Sequence, residues 1–238
     1  MIMNITKENT VAEVVSKNLG SDHVFSKYKI DFCCGGGDTL EKACKERGIE
    51  FETLKNEIEA INNKITGGTS IEDIDIPTLI NEVKGGFHAT ISDLFFEVLP
   101  YTSKVANVHG LEHKEVIEIN ELVKGAEVVI NETFRNSIMS LYPIIIEIVK
   151  ASEKTEEISI ETLQSLQKSI ERNEIAQGLI GDSFKEISKL SSNYTTPDDA
   201  CSSYDYLYKN LQQLQHEVHK YMHFEKNVLI PKTLNIIE

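Results

Sequence analysis

Basic residues are scarce in this sequence: 24 lysines and arginines against 38 aspartates and glutamates leave a formal net charge of −14. Nucleic acids and anionic membrane surfaces are bound through Lys and Arg, so neither is an expected partner. Long apolar runs are missing as well. The greasiest stretch, residues 143–149, is interrupted by Glu147 and falls far short of the ~20 residues that cross a bilayer. The first ten residues, MIMNITKENT, lack a basic start followed by an apolar block, so export is not expected and a cytoplasmic location is. Cysteine is sparse: Cys33 and Cys34 are adjacent while Cys44 and Cys201 stand apart, which is no disulfide framework and implies reduced thiols. Tryptophan is absent, and 13 glycines and 5 prolines in 238 residues leave little to interrupt a helix.

What remains is rich in Ile, Leu, Glu, Lys and Gln, and no segment carries the alternation of a strand, so the expected fold class is all-α. At 40% hydrophobic and 26% charged, the chain has the composition of one or two globular domains. Residues 62–77 hold a Gly-Gly pair, polar turn formers and Pro77, and read as a linker with its centre near residue 70. Before it, helices are expected over 10–20, 21–28, 38–47 and 51–61, with Asp38 capping the third and Glu41 completing a capping box.

After it come four longer patterns, about 76–108, 113–150, 156–191 and 199–230. Each carries apolar residues at spacings of three and four, for example Ile80, Val83, Phe87, Ile91 and Leu94 in the first. Four such faces around one core make a four-helix bundle. Three of the stripes turn polar partway along, at Thr133 and Ser137, Asn173 and Gln177, and Tyr221 and Glu225, while His88 lies beside Phe87. Burying such groups costs about 1–3 kcal/mol each unless they are hydrogen-bonded, so they are expected to meet. Two readings fit: a polar layer that fixes helix register, with Glu225 paired to His88, or a metal site inside the bundle. His216, His219 and His223 share another helix face beside Lys220 and Lys226, which reads as a solvated surface. His109 and His113, in VHGLEH, read as caps or surface residues.

Cys33 and Cys34 stand immediately before Gly35, Gly36 and Gly37 and the start of a helical pattern. Glycine backbone and a helix N-terminus both favour a thiolate, which suits metal handling or thiol redox chemistry. No Gly-Lys-Ser/Thr follows, so the glycines are not a phosphate loop.

The segment DFCCGGGDTLEKAC, residues 31–44, resembles the signature of the ScdA-type N-terminal domain, and the four helical patterns resemble the hemerythrin-like domain of the iron-sulfur cluster repair di-iron proteins. Further matches are Val108-His109, the YTTPDDAC of residues 194–201, and residues 225–231, similar to the family's E-N-N-V-L-F-P. The resemblance covers nearly the whole chain. It implies two irons held between the helices by four histidines and two bridging glutamates, and a role in restoring clusters damaged by oxidative or nitrosative stress. Carried over by position, His88 falls on the first-helix ligand. Counting back from Pro143 puts Thr133 and Ser137 on the family's H-x-x-x-E, and counting back from Cys201 puts Gln177 on the third-helix histidine. In the last helix the family's H-x-H-x-H-x-E becomes His219-Lys220-Tyr221-Met222-His223-Phe224-Glu225. Only His88 and Glu225 keep the ligand types.

The resulting expectation is a two-domain protein, with a ScdA-like helical domain over residues 1–66 and a hemerythrin-like bundle over 75–238. It is expected to repair iron–sulfur clusters or handle iron through Cys33 and Cys34, as a metal-handling protein more than an enzyme. Iron is expected at most weakly, at His88, Glu225 and Tyr221, and not as a full di-iron centre. The alternative is a non-enzymatic regulator or scaffold for a metal-bearing paralogue. Expected partners are iron–sulfur proteins or that paralogue, and a homo-oligomer is also compatible.

Overall fold

The computed structural model describes residues 4–18, 21–30, 32, 37–66 and 73–237, so Cys33 and Cys34 lie outside the described residues. The fold is all-α. Among the described residues the only β pairing is an isolated antiparallel bridge between Thr10 and Thr39. The chain forms two compact units, residues 1–81 with 220–235, and residues 82–219 with 236–238.

In the first unit, α1 (Val11–Lys17), α2 (Ser21–Lys27), α3 (Leu40–Arg47) and α4 (Phe51–Thr66) enclose a small core of Val11, Val14, Phe25, Leu40, Leu54 and Ile58. Two helix starts are tied together at the bridge: the Val11 N–H donates to the Asp38 carbonyl and the Leu40 N–H to the Asn9 carbonyl, both at 2.9 Å. This pairing corrects the expected cap of α3. With its carbonyl committed to Val11, Asp38 remains outside the helix, and Thr39 takes the cap, its hydroxyl accepting from the Lys42 N–H. The capping box occurs instead at α1, where Thr10 accepts from the Glu13 N–H and Glu13 reaches back to the Thr10 N–H at 2.9 Å. Gly48 closes α3 in the left-handed region at φ +66°, where a side chain would be strained.

The expected linker is also shortened. Helix α4 continues through residues 62–66, because polar composition alone does not stop a helix, and ends just before Gly67-Gly68 in the sequence. Asp75 then opens α5 (Ile76–Glu82), accepting from the Thr78 N–H at 2.8 Å, with Pro77 in the first turn where its missing N–H costs nothing.

The second unit is the bundle. Its helices are α6 (Ala89–His109), α7 (Glu115–Asn136) continued by α8 (Tyr142–Glu153), α9 (Ile160–Leu190) and the larger part of α10 (Ser202–Phe224). Helix α7 packs on both α6 and α9. Helix α10 closes the ring, meeting α9 through Phe184 and His219 and running antiparallel to α6 through Lys104–Ser203 and Glu97–Tyr206. Ile91, Ile119, Ile130, Ile145, Phe184, Ile187, Leu211 and Leu214 fill the interior. Beyond α10 the chain continues into α11 (Ile230–Ile237).

Two glycines test this packing in opposite directions. A Cβ on Gly110, at the end of α6, would lie 2.4 Å from the Ala106 carbonyl oxygen and 2.9 Å from Ile117 Cγ1, whereas one on Gly178 in α9 would meet nothing within 4 Å. Gly110→Ala is expected to lower stability by about 1–3 kcal/mol and Gly178→Ala to raise it by about 0.5–1 kcal/mol, both read from urea unfolding midpoints.

Candidate functional site

Three of the long helical stretches leave the α register. Wider π-helical turns occupy Val83–His88, Ser137–Leu141 and Glu225–Leu229. In the last two, the residue after the turn bonds five positions back, Tyr142 to the Ser137 carbonyl and Ile230 to the Glu225 carbonyl, and a proline comes next. Pro143 and Pro231 have no N–H with which to hold the carbonyl four residues back, so the ladder is free to widen there. In the first turn the extra residue moves the buried position from Phe87 to His88, five residues after Val83. A 3.6-residue period does not contain this shift. The three turns border or begin at His88, Ser137 and Glu225, the positions singled out by their polarity, and π turns often mark functional positions.

In the second unit, the polar residues of α7, its π turn and α9 satisfy one another. The Thr133 hydroxyl donates back to the Val129 carbonyl at 2.8 Å. Asn173 donates through Nδ2 to Ser137 Oγ at 2.8 Å and accepts through Oδ1 from Asn136 at 2.6 Å. Ser140 and Ser169 share a bond of 2.9 Å, and Gln177 is buried nearby on α9. His88 is 6% exposed, with its ring stacked on Phe134 at 3.8 Å and Nε2 3.4 Å from the Tyr142 hydroxyl. Burial, reinforced by the Lys84 charge, pushes its pKa down to about 4, so the ring is neutral at physiological pH.

In the first unit, Glu225 is completely buried and both carboxylate oxygens lie 3.3 Å from the Tyr221 hydroxyl, which donates to them. Tyr221 and Glu225 are thus brought together, while His88, the third residue expected at a metal, belongs to the other unit.

The histidine face expected to be solvated is covered. His223 is 4% exposed, accepts from Asn227 at 3.0 Å and lies edge-on to Phe32, and burial pushes its pKa down to about 4. The Nε2 atoms of His216 and His219 are buried as well. The apolar stripe of α10 reports only one contact face. Within the first unit Asp22 meets Lys220 at 3.6 Å and Phe32 covers His223 on another, a packing that no periodicity along α10 encodes.

The donor set does not fit a di-iron centre. Iron is held by imidazole and carboxylate, and four of the six positions that the resemblance assigns to ligands carry Thr133, Ser137, Gln177 and Tyr221. Two of those hydroxyls are engaged by Val129 and Asn173, and a third serves Glu225. Among the described residues no group of three or more His, Cys, Asp or Glu is arranged to hold a metal ion. His109 and His113 lie elsewhere, at the end of the bundle where α6 turns into α7.

The Tyr221–Glu225 contact has a measurable energy. Tyr221→Phe removes the donor to a buried carboxylate and is expected to cost about 1–3 kcal/mol. Much of that loss should return in Tyr221→Phe/Glu225→Leu, where both polar partners are gone. Additive losses in a double-mutant cycle of urea midpoints would show that the pair is not coupled.

Comparison with known proteins places this arrangement. A family model of the ScdA_N domain, described as a domain of unknown function (DUF542), matches residues 7–62. The iron-sulfur cluster repair protein ScdA of Staphylococcus haemolyticus is 30% identical over 228 residues, covering 96% of this chain and 99% of that protein. A probable iron-sulfur cluster repair protein of Haemophilus influenzae is 21% identical over 96% of this chain and 97% of its own. The iron-sulfur cluster repair protein YtfE of Yersinia pseudotuberculosis is 22% identical over 89% of this chain and 90% of its own. With 30% identity to ScdA over nearly the whole of both chains and an all-α fold, the chain belongs to the ScdA family of iron–sulfur cluster repair proteins.

Proposed function

We propose that this protein serves the repair of iron–sulfur clusters in other proteins of the cytoplasm by thiol chemistry, with iron as its cargo and the bundle as its scaffold. The relatives' names support the repair role. The observation that carries the division of labour is the internal pairing of buried polar residues within each unit. Where family members present histidine and glutamate, this chain has hydroxyls and amides bonded to Val129, Ser137, Asn136 and Glu225. Those groups are spent on stabilising buried polarity and offer no ligand pairs to metal.

The chemistry then falls to residues that can bind iron transiently. Cys33 and Cys34, two adjacent thiols ahead of three glycines, are the groups we assign to that task, acting on iron–sulfur proteins as partners. Two thiolates can hold iron through sulfur and release it on protonation or by transfer to a stronger thiolate set. His88 remains neutral in the bundle, and Glu225 keeps its bond to Tyr221 in the first unit, so each contributes to the packing of its own unit.

Iron content and thiol dependence test this reading together. Protein from iron-replete cells should lack a stoichiometric pair of irons, and Cys33→Ser/Cys34→Ser should keep its helical content while losing activity in a cluster-reconstitution assay with an apo iron–sulfur protein. Two irons per chain with oxo-to-iron charge-transfer bands would overturn the scaffold role of the bundle. Full activity of the double variant would overturn the thiol mechanism and favour a regulator of a metal-bearing paralogue.

A further inference from the structure

We propose that Cys201, paired with His109 at the end of the bundle, is a nucleophilic thiol that undergoes reversible exchange with small disulfides. Its Sγ lies 3.2 Å from His109 Nε2. The two residues are 92 positions apart in sequence, one at the last residue of α6 and the other immediately before Ser202, the first residue of α10. Cys201 is exposed, so a reagent in solution can reach the sulfur.

The surroundings favour the thiolate through two independent sources. His109 Nε2 lies at hydrogen-bond distance from the sulfur, and Cys201 stands at the start of a 23-residue helix whose first-turn N–H groups, including that of Tyr204 donating to the Cys201 carbonyl, favour negative charge. Together they bring the Cys201 pKa down to about 7, against an ordinary thiol near 8.5. Cys44 provides the internal contrast: it is buried in the small core, and burial pushes its pKa up.

The pair is also held in place. The His109 ring lies edge-on to the buried Tyr204 at 5.3 Å and beside His113 at 6.3 Å. His113 is fixed by Asp199 at 3.2 Å and by Glu115, on α7, at 3.1 Å. The other charged groups nearby are paired off: Asp205, in the first turn of α10, with Lys209 at 2.6 Å, and Lys104 of α6 with the Ser203 hydroxyl at 2.9 Å. Asp199 therefore answers to His113, and the sulfur to His109. Each ring nitrogen aimed at the cluster already has its own partner, which suits a thiol–imidazole pair rather than a metal cage.

The chemistry is one displacement. The Cys201 thiolate attacks one sulfur of a disulfide R–S–S–R, a bond forms between Cys201 Sγ and that sulfur as the S–S bond of the reagent breaks, and R–S⁻ leaves and takes up a proton from solvent. Excess free thiol reverses it. The disulfide is the only oxidant required, and the inference does not depend on the repair role or on Cys33 and Cys34.

The test uses the full chain, reduced and then exposed to oxidised glutathione or an aromatic disulfide from pH 5.5 to 9, with the modified peptides quantified by mass spectrometry. Modification of Cys201 should have its half-point near 7 and outpace that of Cys44 at every pH. His109→Phe should move the half-point up by about one pH unit or more and slow modification at pH 6.5 by about tenfold, while His109→Gln, which retains a donor, should lie between. Circular dichroism checks that each variant is folded, and the wild-type profile decides the matter if neither is. A half-point near 8.5 for Cys201 in the wild type, or an unchanged profile in folded His109→Phe, would overturn the proposal.

Discussion

The rest of this structure depends on how buried polar groups are satisfied. A bundle interior that contains Thr133, Ser137, Asn173 and Gln177, and a first unit that buries Tyr221 and Glu225, are stable only if each polar group finds a partner, because an unmet donor or acceptor in that environment costs more than the hydrogen bond itself contributes. Asn173 meets Ser137 and Asn136 at once, Thr133 bonds its own helix, and Tyr221 serves both oxygens of Glu225. In a metal-bearing relative of this architecture, ligands would be satisfied by the ion. Here the protein bonds its buried polar residues to one another, and π turns border or begin at His88, Ser137 and Glu225.

The same physics sorts the titratable groups. Burial drives His88 and His223 to the neutral state and raises the Cys44 thiol, since each charged form loses its water. Cys201 stands at the opposite extreme, exposed and bonded to His109 at the start of a helix, so its charged form gains. Reactivity in the described part of the chain therefore concentrates at the end of the bundle, away from its polar interior.

The all-α class, the long helices and most of their inward faces were legible in the sequence, because an amphipathic helix announces its buried side every three or four residues. So was the presence of polar residues at Thr133, Ser137, Asn173, Gln177, Tyr221 and Glu225 on faces that are buried. Local chemistry was partly legible: Asp38 was the natural cap by composition, but the bridge between Thr10 and Thr39 moved the cap to Thr39, and the start of α4 was visible where its end was not.

Three things were decided only in the tertiary structure. The burial of His88 in place of Phe87 follows from a π turn, whose register shift violates the period by which burial is read. The covering of His223 depends on Phe32, a residue about 190 positions away. Cys201 and His109 each looked ordinary, one a solitary thiol and the other a helix-end histidine, and the motifs around them carried no spacing that joins them. Sequence periodicity reports how a helix meets its immediate neighbours, whereas a pair separated by 92 residues is created by the closing of the bundle and is invisible until the ring is complete.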